Sequence, residues 1–309
     1  MSKISIVVPC FNEQSTVETF YTAIVPVLEG TGMEYEILYV NDGSRDDTLS
    51  ILKTLAQKDE KVKVLSFSRN FGQQAAILCG YRHASGDCVM ELDVDLQDPV
   101  ELIPTMIEKW KEGYDVVHGR RTKRKGESVF KKATAYCYYK FLDKISKVSV
   151  PRNTGDFKLY DRKVIEVITG MSEKNKYIRG LASWVGFKQT FVDFERNERS
   201  AGETKYTLKK MVALAKTGVL SNSNWPLYLS LKTGIFGCFA SLACFLTFVV
   251  LACCKIFLPL TAWLFPTVTL CASGLALFNA ITNLYVEKIN DEVQNRPEYI
   301  VAEKINLDE

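Results

Sequence analysis

Between Lys232 and Lys255 the chain runs for 22 residues, Thr233 to Cys254, without a charged side chain. Wound as a helix, such a run spans about 33 Å, enough to cross a bilayer core of about 30 Å. A further 31 uncharged residues follow, Ile256 to Val286, interrupted by Pro259 and Pro266. Proline removes a helical hydrogen bond and clashes with the preceding turn, so a second span is expected from Pro266 to Val286. Two neighbouring uncharged runs of this length are rare in soluble domains, where a buried core helix is the competing reading. The expectation is a two-helix transmembrane hairpin over 232–287, with spans at about 233–254 and 266–286.

The sequence around the hairpin supports a membrane setting. Leu208, Met211, Val212, Ala215 and Val219 keep helical spacing, with Lys209, Lys210 and Lys216 off the stripe. An ordinary core-facing helix has the same stripe, but its place just ahead of the first span favours an interfacial amphipathic segment over 204–231. An even number of spans puts both flanks on one side, and their cations place that side in the cytoplasm. Within the spans, Gly237 and Ser241, like Ala276 and Ala280, would let two helices approach closely. Asn279 and Asn283 share a face and are placed to bond across the hairpin or to another subunit, which would make the chain a homo-oligomer through its membrane helices. The expected location is the inner or plasma membrane, multi-pass, with 288–309 as a cytoplasmic tail.

The first 203 residues read differently. Strands at Lys3–Pro9, Tyr35–Asn41, Lys63–Phe67, Asp87–Leu92 and Asp115–Gly119 alternate with helices, the first opened by the capping-box pattern Ser15-Thr-Val-Glu18. Such alternation predicts an α/β domain with a mostly parallel, Rossmann-like sheet. No G-x-G-x-x-G follows the first strand, so the dinucleotide fingerprint is absent. A net charge of +3 gives no reason to expect nucleic acid as a partner. The nine cysteines include no C-x-x-C pair and there are only two histidines, a poor set for zinc; the cysteines are read as reduced.

Chemistry concentrates in Glu91-Leu-Asp-Val-Asp-Leu-Gln-Asp-Pro99. Asp93 and Asp95 are two apart, so on an extended strand both would point to one side. At a strand's carboxyl end they would face the crevice where open α/β sheets bind ligands. Two hard oxygen donors there suit Mg²⁺ or Mn²⁺ carrying substrate phosphates; a solvated acidic turn is the bland alternative. Downstream, seven cations, Arg120, Arg121, Lys123, Arg124, Lys125, Lys131 and Lys132, fall within thirteen residues. That stretch suits either a solvated helix face or anionic head groups. Asp156 lies in a turn leading to a strand, and Arg199 to Tyr206 is a polar loop with two cations.

Four pieces in one order, Ile6-Val-Val-Pro-Cys-Phe-Asn-Glu13, Val40-Asn-Asp-Gly-Ser44, the Asp93/Asp95 motif and Arg199 to Tyr206, resemble family 2 glycosyltransferases of the polyprenyl-phosphate type. Dolichol-phosphate mannose synthases are relatives; bacterial bactoprenol glucosyltransferases resemble the chain more closely, through Ser68-Arg-Asn-Phe-Gly72, Gly155-Asp-Phe157 and the tail Asp291 to Tyr299. The resemblance covers nearly the whole chain; Asn41 departs from it, many relatives carrying aspartate there. It implies a GT-A catalytic domain, a nucleotide-sugar donor (UDP-glucose first), a divalent metal and a polyprenyl-phosphate acceptor. The product would be a lipid-linked sugar used to modify cell-envelope glycans. By the same resemblance Pro9, Asn12, Glu13 and Asp42 line the nucleoside pocket, while Asp93, Asp95 and Gln97 hold metal and diphosphate. Arg121, Arg124 and Ser128 meet the acceptor phosphate, Arg199 and Lys205 close on the donor diphosphate, and Asp95, Asp156, Arg121 and Arg124 carry the catalytic roles. An already ionised phosphate nucleophile needs no strong base, and in-line attack on an α-linked donor would invert it to a β-linked product. The alternatives are a processive polysaccharide synthase and a nucleotide-sugar-binding transporter subunit. The first normally carries Gln-x-x-Arg-Trp and more spans; the second leaves the paired aspartates without use.

Overall fold

The computed structural model describes residues 2–123, 154–173, 178–195, 225–254 and 260–307. They fall into two compact units, the second built from 225–254 and 260–296 and the first from the rest.

In the first unit, β1 (Lys3–Cys10), β2 (Glu34–Asn41), β3 (Val62–Phe67), β4 (Cys88–Glu91), β5 (Val116–Lys123), β6 (Thr154–Asp161), β7 (Gln189–Glu195) and β8 (Val301–Ile305) form one sheet in the order β7-β5-β6-β4-β1-β2-β3-β8. The helices of this unit are α1 (Val17–Gly30), α2 (Thr48–Lys58), α3 (Gln73–His83), α4 (Ile103–Lys111), α5 (Arg162–Gly170) and α6 (Ile178–Trp184). A sheet covered on both faces needs apolar residues at odd and even positions alike, and β1 meets that demand. Ile4, Ile6 and Val8 enter one core with Val17, Phe20, Ile24 and Leu28 of α1, while Val7 enters another with Ile77, Leu78 and Tyr81 of α3.

Pairings β1–β2, β1–β4, β2–β3 and β5–β7 are parallel, and β3–β8, β4–β6 and β5–β6 antiparallel. The fifth strand is therefore not the direct neighbour of the fourth, because β6 is inserted between them. It also extends to Lys123, which puts Arg120 and Arg121 on a strand. The capping box does not form: α1 begins after Thr16, whose hydroxyl donates to Glu13 instead. Residues 301–305 of the expected tail supply the edge strand β8.

The second unit contains α7 (Trp225–Cys253) and α8 (Leu260–Gln294). Helix α8 passes through Pro266, where a break was expected, because losing one hydrogen bond does not end a helix continued on both sides. Large apolar side chains are exposed along both, among them Phe236, Phe239, Val250, Val268 and Leu275. Among the described residues, no helix is long and apolar enough to cross a membrane. The two-span expectation rests on the uncharged runs of sequence.

Candidate active site at the carboxyl ends of the parallel strands

Strands β1, β2, β3 and β4 run parallel, so the loops that leave Cys10, Asn41, Phe67 and Glu91 emerge at one edge of the sheet, where open α/β sheets bind ligands. The first two loops are knitted together. Asn12, at φ 53°, donates its N–H to Ser44 Oγ at 3.0 Å and accepts from the Arg45 N–H at 2.9 Å. The Glu13 N–H donates to Thr48 Oγ1 at 2.8 Å. Pro9 sits half-buried in β1, opposite Val40.

Asn41, the departure from the family pattern, is buried and bonded in two directions. Its amide donates to Ser66 Oγ at 2.9 Å and its oxygen accepts from the Ser44 N–H at 3.2 Å. An ionised aspartate has no proton to donate to Ser66. Asp42 beside it anchors the third loop. Its Oδ1 accepts from the Phe71 N–H at 2.7 Å, and its Oδ2 from Asn70 Nδ2 at 2.8 Å and the Gly72 N–H at 2.9 Å. Burial raises the Asp42 carboxyl from its ordinary value, against the pull of the Phe71 and Gly72 N–H groups and Arg69. Gly43, at φ +64°, lies so close to the third loop that a Cβ would stand 2.4 Å from the Arg69 carbonyl carbon. Only glycine fits there.

Asp93 and Asp95 are not on an extended strand. Strand β4 ends at Glu91, and both carboxylates belong to the turn that follows, with Leu96 at φ 52°. Val94 between them is buried while the aspartates are half-buried. Asp93 Oδ1 accepts from Gln73 Nε2 at 3.0 Å, and Asp95 Oδ1 from the Gln97 N–H at 3.2 Å. Gln97 is buried, and its Oε1 lacks a hydrogen-bond partner among the described residues. The Cys10 thiol reports how charge collects here: burial pushes it up, then the carboxylates of Glu13, Asp93 and Asp46 push it further.

A second polar group lies where β4 meets β6. Glu91 pairs in register with Lys158, and both are buried. Tyr81 donates its hydroxyl to Glu91 Oε2 at 2.6 Å. Burial drives the Glu91 carboxyl upward, Asp156 adds to the rise, and Lys158 opposes it. Asp156, two residues before Lys158 on β6, is thus a charged neighbour of this pair. On β5, Arg121 lies across Gly155, where a Cβ would come within 2.6 Å of Nη2, and it donates to Asp98 Oδ1 at 3.2 Å.

The structure thus gathers Asn12, Glu13, Asp42, Asp93, Asp95 and Gln97 on the loops at one sheet edge, with Pro9 at the end of β1 that leads into them. Arg121 lies beside Asp98 of the Asp95–Pro99 segment, and Asp156 beside Glu91. Arg124, Ser128, Arg199 and Lys205 lie outside the described residues. Gln73, Lys158 and Tyr81 went unnoticed in the sequence, and Glu91 was read only as the start of the acidic stretch. Gln73 directly follows Ser68-Arg-Asn-Phe-Gly72, and Glu91 opens the acidic stretch, but neither pattern reveals its partner.

Among the described residues, no group of three or more His, Cys, Asp or Glu side chains could by itself hold a metal ion. The residues present still fit Mg²⁺ or Mn²⁺, since such ions are commonly held by one or two carboxylates with substrate phosphates and water completing the shell. Asp93 and Asp95 would supply the carboxylates, and the unpartnered Gln97 oxygen a third hard donor. Gln73 would orient Asp93 from behind.

A family model described as glycosyl transferase family 2 matches residues 5–169. An uncharacterized glycosyltransferase of Bacillus subtilis (strain 168) is 44% identical over 308 residues, covering 98% of this chain and 94% of the relative. The bactoprenol glucosyl transferase of Shigella phage SfII is 39% identical over 301 residues, 97% of each chain. Among solved structures, glucosyl-3-phosphoglycerate synthase from Mycobacterium tuberculosis, in complex with Mn²⁺, uridine diphosphate and phosphoglyceric acid, matches with a TM-score of 0.47 at 20% identity, covering 70% of this chain and 76% of that one.

Proposed function

Because the chain belongs to glycosyl transferase family 2 and is a glycosyltransferase with a GT-A-like α/β fold, we propose that it transfers a sugar, glucose first, from a nucleoside diphosphate sugar to a polyprenyl phosphate. The observation that carries this reading is the convergence of the Asp93/Asp95 turn with the Asp42-anchored loop at one sheet edge. The acceptor class is supported by two bactoprenol glucosyl transferases that the chain matches over 97% of their length.

In this reading the knitted loops after β1 and β2 form a stiff floor for the nucleoside. Asp42 acts mainly by fixing the loop Asn70–Gly72, since both of its oxygens already accept protein donors. A divalent ion, when bound, offsets the charge that grows on the departing diphosphate. Asp93, Asp95 and Gln97 would hold it. Arg121, steadied by Asp98, presents a fixed cation toward the lipid phosphate, with Arg124 and Ser128 as further contacts. Arg199 and Lys205 are assigned to the donor diphosphate. The acceptor is a phosphate monoester, whose second pKa lies near 6 if it resembles a phosphorylated side chain. It is therefore mostly ionised at neutral pH, and Asp156 serves by positioning more than by removing a proton.

Membrane attachment is part of the proposal. The uncharged runs Thr233–Cys254 and Pro266–Val286, with exposed Phe236, Phe239, Val250 and Leu275, suit contact with lipid. The catalytic unit would then work at the cytoplasmic face, where a lipid-linked phosphate is accessible. The test is to incubate the purified chain and polyprenyl phosphate with a panel of labelled nucleotide sugars. Transfer from UDP-glucose to a β-linked lipid phosphate is expected. Transfer from another nucleotide sugar alone would replace the donor; no lipid-linked product from any would overturn the reading.

A further inference from the structure

The C-terminal segment returns to the sheet at a place that bears on the site. Strand β8 pairs antiparallel with β3, Val301 opposite Phe67 and Glu303 opposite Ser66. The Ser68 N–H, first in the loop that leaves β3, donates to the Ile300 carbonyl at 3.0 Å. Tyr299 stacks on Phe67 with ring centroids 5.1 Å apart and planes 11° apart. Phe67 in turn meets Phe71 edge to face at 5.7 Å. Arg82 of α3 locks the segment from the side, bridging Glu298 at 2.6 Å and donating to the Tyr299 hydroxyl at 3.3 Å. Tyr299, Val301 and Leu307 share a small apolar cluster with Phe71 and Ala75.

Phe71 therefore faces two ways. Its ring meets Phe67, on which Tyr299 stacks, and its N–H is a donor to Asp42. Two residues later Gln73 holds Asp93. The loop Ser68–Gly72 and the first residue of α3, Gln73, thus reach both the expected nucleoside pocket and the expected metal carboxylate, and the C-terminal segment packs against the loop's base.

We propose that residues 298–305 form a positioning clamp for the donor site, in which Tyr299, acting through Phe67 and Phe71, sets the loop that holds Asp42 and Asp93 and so sets affinity for a nucleoside diphosphate sugar. This rests on the donor reading above. Tyr299 touches no substrate; it acts by keeping the loop preorganised, so that binding does not have to order it.

The experiment uses the full chain in detergent, comparing wild type with Tyr299→Ala, Tyr299→Phe and Arg82→Ala. UDP binding is measured by calorimetry, KM separately for UDP-glucose and polyprenyl phosphate, and amide exchange at Phe71 and Gly72 with Ile6 and Val8 of β1 as internal reference. Tyr299→Ala should raise the UDP Kd and the UDP-glucose KM roughly 3- to 10-fold, the scale of one lost aromatic pair. It should also speed exchange at Phe71 and Gly72, leaving β1 exchange and the polyprenyl-phosphate KM unchanged. Tyr299→Phe should restore all of these, because the stack survives without the hydroxyl, and Arg82→Ala should fall between. Unchanged UDP affinity and loop exchange in Tyr299→Ala would overturn the clamp while leaving the donor reading intact. So would equally faster exchange in β1, or equal loss in Tyr299→Phe. Failure of wild type to bind UDP at all would overturn the donor reading and the clamp's role with it.

Discussion

Gln73 donates through Nε2 to Oδ1 of Asp93 at 3.0 Å, so the first residue of α3 aims one carboxylate of the Asp93/Asp95 turn. An outer partner of this kind commonly matters about 10- to 100-fold in metal affinity or activity. Gln73→Ala should therefore raise the Mg²⁺ or Mn²⁺ concentration giving half-maximal transfer by about 10-fold or more. A metal titration of transfer rate checks this, and an unchanged midpoint would remove Gln73 from the site.

Asp93→Asn and Asp95→Asn should each fold and lose at least about 100-fold in transfer, the scale of a lost charge-stabilising group at a transition state. Chelation of wild type should abolish transfer, and added metal should restore it. Full activity in the chelator would refute the metal assignment.

Arg121 is already bridged to Asp98, so its guanidinium is held before any lipid arrives. Arg121→Ala should lower transfer about 10- to 150-fold, as expected for a lost charge-assisted hydrogen bond, with nucleotide affinity nearly unchanged. Calorimetry with UDP beside kinetics at varied polyprenyl phosphate separates the two effects. Loss of nucleotide binding with lipid dependence intact would reassign Arg121 to the donor.

At the opposite end of the sheet, burial alone would raise the Glu36 carboxyl, but hydrogen bonds from Lys63, Ser5, the Ser85 N–H and Lys3 outweigh it and hold the pKa at about 2. A folded pKa below the unfolded one gives stability that is present above about 4.5 and is lost as pH falls toward 2. Glu36→Gln should therefore unfold at lower denaturant than wild type at pH 7, by a margin that shrinks between pH 4.5 and pH 2. Denaturant midpoints across that window test it; a margin independent of pH would show that charge is not the cause.

Topology is open to a direct measurement. If the two uncharged runs both cross the membrane, reporters fused after Cys254 and after Gln294 should report opposite compartments. A shared compartment would mean that the second run does not cross.

Pattern alone was enough for the parallel core of the catalytic unit. Runs such as Ile4-Ser-Ile-Val-Val8 must be buried on both faces, and the helices between strands force parallel neighbours. The acidic stretch at Glu91–Pro99 drew attention as hard oxygen donors expected at a strand's carboxyl end, and the fold does put it beyond the end of β4. Short-range spacing could not place residues whose partners are distant in the chain. The antiparallel insertion of β6, the bond between Gln73 and Asp93, the buried pairing of Glu91 with Lys158 and the return of Tyr299 onto Phe67 each join segments that local periodicity treats separately. Even the Asp93/Asp95 pair was found for a reason the fold does not keep, since a turn and not a strand presents it. Hydrophobic period is written residue by residue, whereas register and side-chain partnership are decided only when the whole sheet closes around its core.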